Sequence, residues 1–220
     1  MTPVLKALAA LLGYPGVPLM EALDEIASLI DAERRLRRRE RDALLALVDE
    51  FRSGDLLDLQ ERYVALFDRG RATSLNLYEH LHGDSRDRGQ AMVDLVNVYH
   101  QGGLTLATTE LPDHVPVLLE YLSTRPAAEV RPMLADCAHL LRAIGDALVE
   151  RRSSYAAVLS ALLIFAGERA LDGATARSAT DHDASLDEEW VEQPVLFGLG
   201  CGDARQSSAA KPVRFVRKSA

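Results

Sequence analysis

Apolar residues recur at intervals of three and four through most of the first 170 residues, and this spacing most constrains the fold. Clear examples run from Leu19 to Ile30 and from Leu44 to Phe51. Spacing of this kind places apolar side chains on one face of an α-helix, whereas a half-buried strand requires strict alternation. The sequence shows almost no strand-like alternation. It therefore predicts an all-α fold, a single helical bundle.

Helix-capping residues, prolines and glycines divide the apolar pattern into about eight helices. The first is the clearest, because Thr2 can act as N-cap, Pro3 occupies the first helical position and Gly13 follows the end. The later predicted helices run from Asp55 to Phe67, from Thr73 or Ser74 to Gly83, from Asp84 or Ser85 to Tyr99, after Asp113, from about Val130 to Arg152, and from Ser154 to about Leu171.

The character of the chain changes near residue 172. An acidic stretch surrounds Trp190, and the last ten residues carry Lys211, Arg214, Arg217 and Lys218. Such a segment buries too little apolar surface to offset the entropy of ordering it. We predict one all-helical domain at residues 1–171 and a polar, flexible tail at residues 172–220.

Composition argues against several classes of partner. The formal net charge is -8 and aromatic residues make up only 5% of the chain, which disfavours nucleic-acid binding. No window reaches the roughly 18 uninterrupted apolar residues of a membrane-spanning helix. The two cysteines, Cys137 and Cys201, lack metal-type spacing, which fits a reducing compartment. We expect a cytoplasmic protein without a membrane span.

The segment ELPDH, residues 110–114, places an Asp–His pair directly before an apolar run. Asp113 is suited to cap the following helix by accepting from the Val115 N–H, since Pro116 has no N–H. His114 would then occupy the first helical position and point its ring toward a neighbouring loop. The residues alone leave two interpretations open, a functional site and a loop-to-helix corner.

A metal site is the alternative function that the sequence leaves open. Glu79-x-x-His82 and Asp136-x-x-His139 repeat a carboxylate-x-x-His pattern, which di-iron helical bundles use to hold metal. The set is incomplete, because such a site also requires carboxylates from two further helices. A helical metal-binding protein or enzyme built on these four residues stays the alternative prediction.

Two longer blocks carry a resemblance to a known family. The run YVALFDRGRATSLNLYEHLHGDSRDRGQAM, residues 63–92, and the ELPDH segment resemble the assembly chaperones of respiratory nitrate reductase, the delta-subunit or NarJ type. These belong to a wider TorD/DmsD-like family of all-helical maturation chaperones for molybdoenzymes. The resemblance spans roughly residues 1–170, and nothing is transferred to residues 172–220.

The resemblance implies a dedicated chaperone and no catalytic activity. Such a chaperone binds the N-terminal segment of the apo nitrate reductase catalytic subunit, assists insertion of molybdenum bis-guanine dinucleotide, and delays membrane docking until maturation is complete. The cofactor is inserted into the client, so the resemblance implies none bound permanently here. It also allows cofactor biosynthesis proteins as partners.

The resemblance further implies a client-binding groove between the two blocks. Aromatic and leucine side chains would form its apolar floor, and carboxylates would suit a basic peptide. Core packing is the alternative for the aromatic residues, and helix capping or solvated surface is the alternative for the acidic ones. The predicted client-binding residues are Tyr63, Leu66, Phe67, Asp68, Leu77, Tyr78, Glu79, His80, His82, Asp84, Glu110, Pro112, Asp113 and His114.

Overall fold

The structure is a computed structural model that describes residues 2–81, 86–107 and 110–174. Within these residues it contains ten α-helices and no strand, which confirms the all-α prediction. Their bounds are α1 Pro3–Leu11, α2 Val17–Ala32, α3 Arg38–Ser53, α4 Leu56–Tyr63, α5 Leu77–Leu81, α6 Arg86–Gln101, α7 Val115–Ser123, α8 Ala127–Asp136, α9 Ala138–Glu150 and α10 Ala156–Ala166.

Helices α1 and α10 form the centre of the core. In α1, Leu5, Leu8 and Leu11 are completely buried, and the helix packs against α2 and α7. Almost every residue of α10 is buried, which is expected of a helix that is apolar on all sides. It packs against α3, α8 and α9.

The single helix predicted from Val130 to Arg152 is instead two helices, α8 and α9. Cys137 separates them with φ -103° and ψ 7°, and its carbonyl accepts the first hydrogen bonds of α9 from Leu140 and Leu141. Leu134 and Leu141 are both completely buried on either side of the break. The apolar spacing continues across the one-residue break at Cys137, so the sequence pattern could not reveal that α8 and α9 are separate helices.

Two other predicted boundaries were also wrong, and one predicted helix changes its type along its length. The helix from Asp55 changes after Tyr63 into a π-helix at Val64–Asp68, and a 3-10 turn follows at Arg71–Thr73. Helix α5 begins only at Leu77, because residues 74–76 are not helical and Asn76 pairs with His114. Helix α10 ends at Ala166, where Gly167 adopts a φ of 91° that favours glycine.

None of the helices within the described residues is long and apolar enough to cross a lipid bilayer. The predicted division at residue 171/172 stays a prediction. Residues 175–220, which include most of the predicted flexible tail, lie outside the described residues.

Candidate functional site

The two sequence blocks meet directly in the structure. Asn76 and His114 form an isolated antiparallel bridge, in which the Leu77 N–H donates to the Asp113 carbonyl at 3.2 Å and the Val115 N–H donates to the Leu75 carbonyl at 2.9 Å. The segment before α5 is therefore fixed against the segment before α7. We call this junction, residues 74–80 with residues 110–115, the bridge site.

Asp113 is the buried centre of the bridge site. It is 0% exposed, and its Oδ2 accepts a hydrogen bond from the Tyr78 N–H at 2.8 Å. Its Oδ1 has no hydrogen-bond partner among the described residues. Burial raises the pKa of this carboxyl group, although the hydrogen bond from Tyr78 opposes the rise. Asp113 therefore joins the two segments from the inside and is not exposed to a client.

The predicted capping role of Asp113 was wrong. His114 is the N-cap residue of α7, and no side chain caps that helix. The Val115 N–H, which Asp113 was expected to satisfy, donates to Leu75 instead. A hydrogen bond between segments that are distant in the sequence thus replaced the expected helix cap. Neighbouring residues in the sequence could not predict this long-range bond.

The ring of His114 lies at the edge of the bridge site. Its Nδ1 is 3.9 Å from Glu110 Oε2, with the two side chains 14% and 58% exposed. Burial lowers the pKa of His114, while the negative charges of Glu110, Asp113 and Asp68 act in the opposite direction. Asp68, at the end of the π-helix, is exposed. The two outward carboxylates, Asp68 and Glu110, therefore surround a neutral imidazole.

Acidification is expected to destabilise the fold through His114. The pKa of His114 is lower in the folded state than in the unfolded chain, where it is near ~6.5. The folding stability that depends on a neutral His114 is therefore fully present above this unfolded value and is lost as the pH falls below it. Urea unfolding at pH 7.5 and 5.5 should show a larger loss of stability for the native chain than for His114→Gln. The exposed His139→Gln is the matched control. Equal losses in all three proteins would contradict the prediction.

Glu79 is held within the same junction. It accepts hydrogen bonds from Ser74 Oγ at 2.6 Å and Asn76 Nδ2 at 3.4 Å. The Arg88 guanidinium lies 3.5 Å from Glu79 Oε1. Burial by itself raises the pKa of Glu79, but these hydrogen bonds and the Arg88 charge lower it overall. Nearby, the His80 Nε2 lies 2.9 Å from the Ser74 carbonyl. Glu79 and His80 thus order the chain before α5.

The aromatic residues predicted as a groove floor belong to the core. Tyr63 and Phe67 are both 5% exposed, and their rings lie 4.8 Å apart. Phe67 also meets Tyr155 edge-on at 5.0 Å, and the Tyr63 hydroxyl donates to the Leu12 carbonyl at 2.9 Å. Leu77 is equally buried. Their placement fits the core-packing alternative, and only Leu66 and Tyr78 of the predicted floor are half-buried.

Tyr99 and Tyr155 were not predicted as part of the site. The Tyr99 hydroxyl donates to the Pro112 carbonyl at 2.7 Å, and its ring packs 4.9 Å from that of Tyr121. Tyr99 is a buried contact of α6 with the bridge site, in addition to the Arg88–Glu79 pair. Both tyrosines lie in helical apolar patterns, so their sequence signal is that of ordinary core residues.

Several predicted residues are not brought together. His82 and Asp84 lie outside the described residues. Asp136 and His139 are exposed on α8 and α9, and no group of three His, Cys, Asp or Glu side chains able to hold a metal occurs within the part of the chain that is described. The carboxylate of Glu79 is also engaged by Ser74. Nothing in these contacts favours the metal hypothesis.

The fold places the chain in a class of all-helical proteins. A proposed redox enzyme maturation protein from Archaeoglobus fulgidus shares this fold with a TM-score of 0.56 and 22% identity, covering 76% of this chain and 94% of that chain. The sequence profile of the nitrate reductase delta subunit family matches residues 20–161. The chain belongs to the nitrate reductase delta subunit family.

Relatives agree with this assignment. The nitrate reductase molybdenum cofactor assembly chaperone NarJ of Escherichia coli K12 is 40% identical over 91% of this chain and 88% of its own length. The probable chaperone NarW of the same strain is 36% identical over 88% of this chain and 83% of its own. A probable NarJ of Bacillus subtilis is 30% identical over 72% and 85%. The family resemblance predicted from the sequence is confirmed.

Proposed function

We propose that this protein is a cytoplasmic assembly chaperone for a nitrate reductase. It binds the N-terminal segment of the apo catalytic subunit, assists insertion of molybdenum bis-guanine dinucleotide into that client, and delays membrane docking until maturation is complete. The observation that carries the proposal is the similarity to the Escherichia coli chaperone over nearly the whole chain. The proposal assigns the protein no reaction of its own, and the cofactor is cargo for the client.

The outer surface of the bridge site suits a basic, amphipathic peptide. Asp68 and Glu110 supply negative charge, while Leu81 and Leu111 are 48% and 41% exposed beside it. An amphipathic helix binds a partner by placing apolar anchors on an apolar surface, with charges that fix its direction. The half-buried Leu66 belongs to the same π-helix as Asp68, two residues before it. These residues are the client contacts that we propose.

The buried residues act in a different way in this proposal. Asp113 holds the two segments together through its hydrogen bond from the Tyr78 N–H, and Glu79 orders the first segment through Ser74. Phe67 and Tyr63 support the π-helix that ends at Asp68. A π-helix often occurs at functional sites, where it directs a side chain that a regular helix would place elsewhere. The core thus positions the outward carboxylates.

Calorimetric titration with a synthetic peptide of the nitrate reductase catalytic subunit's N-terminus tests the proposal. We expect saturable binding near one to one, and roughly tenfold weaker binding in the double variant Asp68→Asn/Glu110→Gln. Two exposed ion pairs of ~0.5–1 kcal/mol each give a change of this size. The difference in affinity between the native chain and the double variant should become smaller at high salt, because salt screens exposed charges.

Two controls make the titration decisive. Glu25→Gln removes an exposed carboxylate from α2 and should leave the affinity unchanged. A scrambled peptide of identical composition should bind more weakly than the native sequence. Failure of the native peptide to bind a folded sample would refute client capture, and an unchanged affinity in the double variant would move the contact away from the bridge site.

A further inference from the structure

A second exposed apolar surface lies away from the bridge site. Tyr14 is 57%, Val17 is 58% and Leu57 is 73% exposed, which are high values for large apolar side chains. The first two belong to the segment between α1 and α2 and the start of α2, and the third lies in the first turn of α4. We call these three residues the loop–α4 surface. None of them belongs to the predicted client-binding set.

Two contacts hold the loop between α1 and α2 against α4. The ring of Tyr14 meets Tyr63 edge-on at 5.6 Å, and the Pro15 carbonyl accepts a hydrogen bond from Gln60 Nε2 at 2.8 Å. The loop therefore passes α4 in the direction from Tyr63 toward its first turn. Val17 is two residues beyond Pro15, and Leu57 is one turn before Gln60. This order along the chain brings Val17 toward the first turn of α4, the turn that carries Leu57.

The surface is fixed before any partner arrives. Pro15 and Pro18 restrict the backbone on both sides of Gly16, which is extended with φ -146° and ψ 170°. The Gln60 hydrogen bond and the Tyr63 ring hold the same loop against α4. A surface that is already ordered loses little conformational entropy on binding. Exposed apolar patches with a polar rim commonly mark protein interaction sites.

The charges around the surface determine what it can bind. Val17 is followed four residues later by Glu21, and Leu57 is followed four residues later by Glu61, so each carboxylate lies on the same helix face as its apolar residue. Asp58 is also exposed beside them. None of these three carboxylates forms an ion pair within the residues that the structure describes. An acidic rim around an apolar centre favours a partner with apolar side chains next to Lys or Arg, and it repels an anionic membrane.

We propose that the loop–α4 surface is a second protein-docking surface, which binds a partner segment that combines apolar side chains with Lys or Arg. Its centre is Leu57 with Val17 and Tyr14, and its specificity comes from Glu21 and Glu61. Leu57 is 73% exposed and therefore contributes little to the core. The surface is separate from the bridge site and does not depend on the function proposed for that site.

Nuclear magnetic resonance of the ¹⁵N-labelled full chain tests this docking surface. The probe is a 12-residue peptide with Leu and Phe on one helix face and Arg and Lys around them. Controls of equal length replace the basic residues with Glu, or the apolar residues with Ser. We expect saturable shifts of the Tyr14, Val17, Leu57 and Gln60 amides, and at least tenfold weaker binding of both control peptides.

Substitutions locate the contact without damage to the fold. Leu57→Ser, or Glu21→Lys with Glu61→Lys, should weaken binding at this surface at least tenfold, because all three side chains are exposed. Val93→Ser, a change of a 54% exposed residue on α6, should have no effect. Titration of Leu57→Ser with the nitrate reductase N-terminal peptide should give the native affinity, so that the two proposals fail or succeed separately.

Three results would overturn the proposal. Shifts confined to residues 74–80 and 110–115 would mean that the probe binds only at the bridge site. Equal affinity for the Glu-containing peptide would remove the proposed preference for basic partners. Shifts at Tyr14 and Leu57 that depend on protein concentration without peptide would assign the surface to a second copy of the chain.

Discussion

Phe67→Ala is expected to lower the free energy of unfolding by about 3–5 kcal/mol, the range for truncating a buried phenylalanine. Phe67 is 5% exposed and packs between Tyr63 and Tyr155 at ring distances of 4.8 and 5.0 Å. The variant loses the apolar contacts, the edge-on aromatic contact and the support of the π-helix, and it leaves a cavity. Urea unfolding followed by circular dichroism gives the stability change.

The matched control for Phe67 is Leu81→Ala, which truncates a 48% exposed apolar side chain near the bridge site. We expect it to change stability by less than ~1 kcal/mol, because an exposed side chain leaves no cavity. If Phe67 were instead an open client contact, its truncation would weaken peptide binding with little loss of stability. That pattern would contradict the core assignment of the aromatic cluster.

Asp113→Ala is expected to cost about 1–3 kcal/mol of stability, because the Tyr78 N–H loses its acceptor in a buried position. The backbone hydrogen bonds of the Asn76–His114 bridge remain, so the segments should loosen without unfolding the bundle. Asp113→Asn retains an oxygen acceptor and should lose less than the alanine variant. Equal losses in the two variants would show that the Tyr78 hydrogen bond contributes little.

The pH dependence of these variants supplies an independent check. Burial raises the pKa of Asp113 in the folded state, so its buried charge is unfavourable above the folded pKa. This unfavourable contribution disappears as the pH falls through the folded pKa toward the unfolded value near ~3.9. The native chain should therefore gain stability relative to Asp113→Asn as the pH is lowered from 7, in denaturant titrations at matched ionic strength.

The client contacts that we propose at the bridge site are suited to binding of moderate strength. The buried Asp113 and the half-buried Glu79 make internal hydrogen bonds, while Asp68 and Glu110 face outward. Exposed charges contribute modestly to affinity and are sensitive to salt, which permits release of a client. The buried hydrogen bonds preserve the geometry of the site between binding events.

The two motif blocks indicate the family, whereas only the fold shows that the blocks contact each other. Residues 63–92 and 110–114 are separate runs in the sequence, and the structure pairs Asn76 with His114. Sequence periodicity places a residue on a helix face but does not show which distant face it meets. For this reason Phe67 and Tyr63 were predicted as groove residues although they pack on Tyr155.

The sequence by itself determined the helical class, the order of the helices and the family, because these depend on local spacing, capping residues and quoted motifs. The first helix illustrates this, since Pro3 begins it and Leu11 ends it close to the predicted positions. Only the tertiary structure decided which side chains face inward. Asp113 lost its predicted capping role because a long-range hydrogen bond to Tyr78 replaced a local one, and the break at Cys137 interrupts a helix whose apolar spacing continues. Long-range packing overrides such local preferences because each is worth only about 1 kcal/mol.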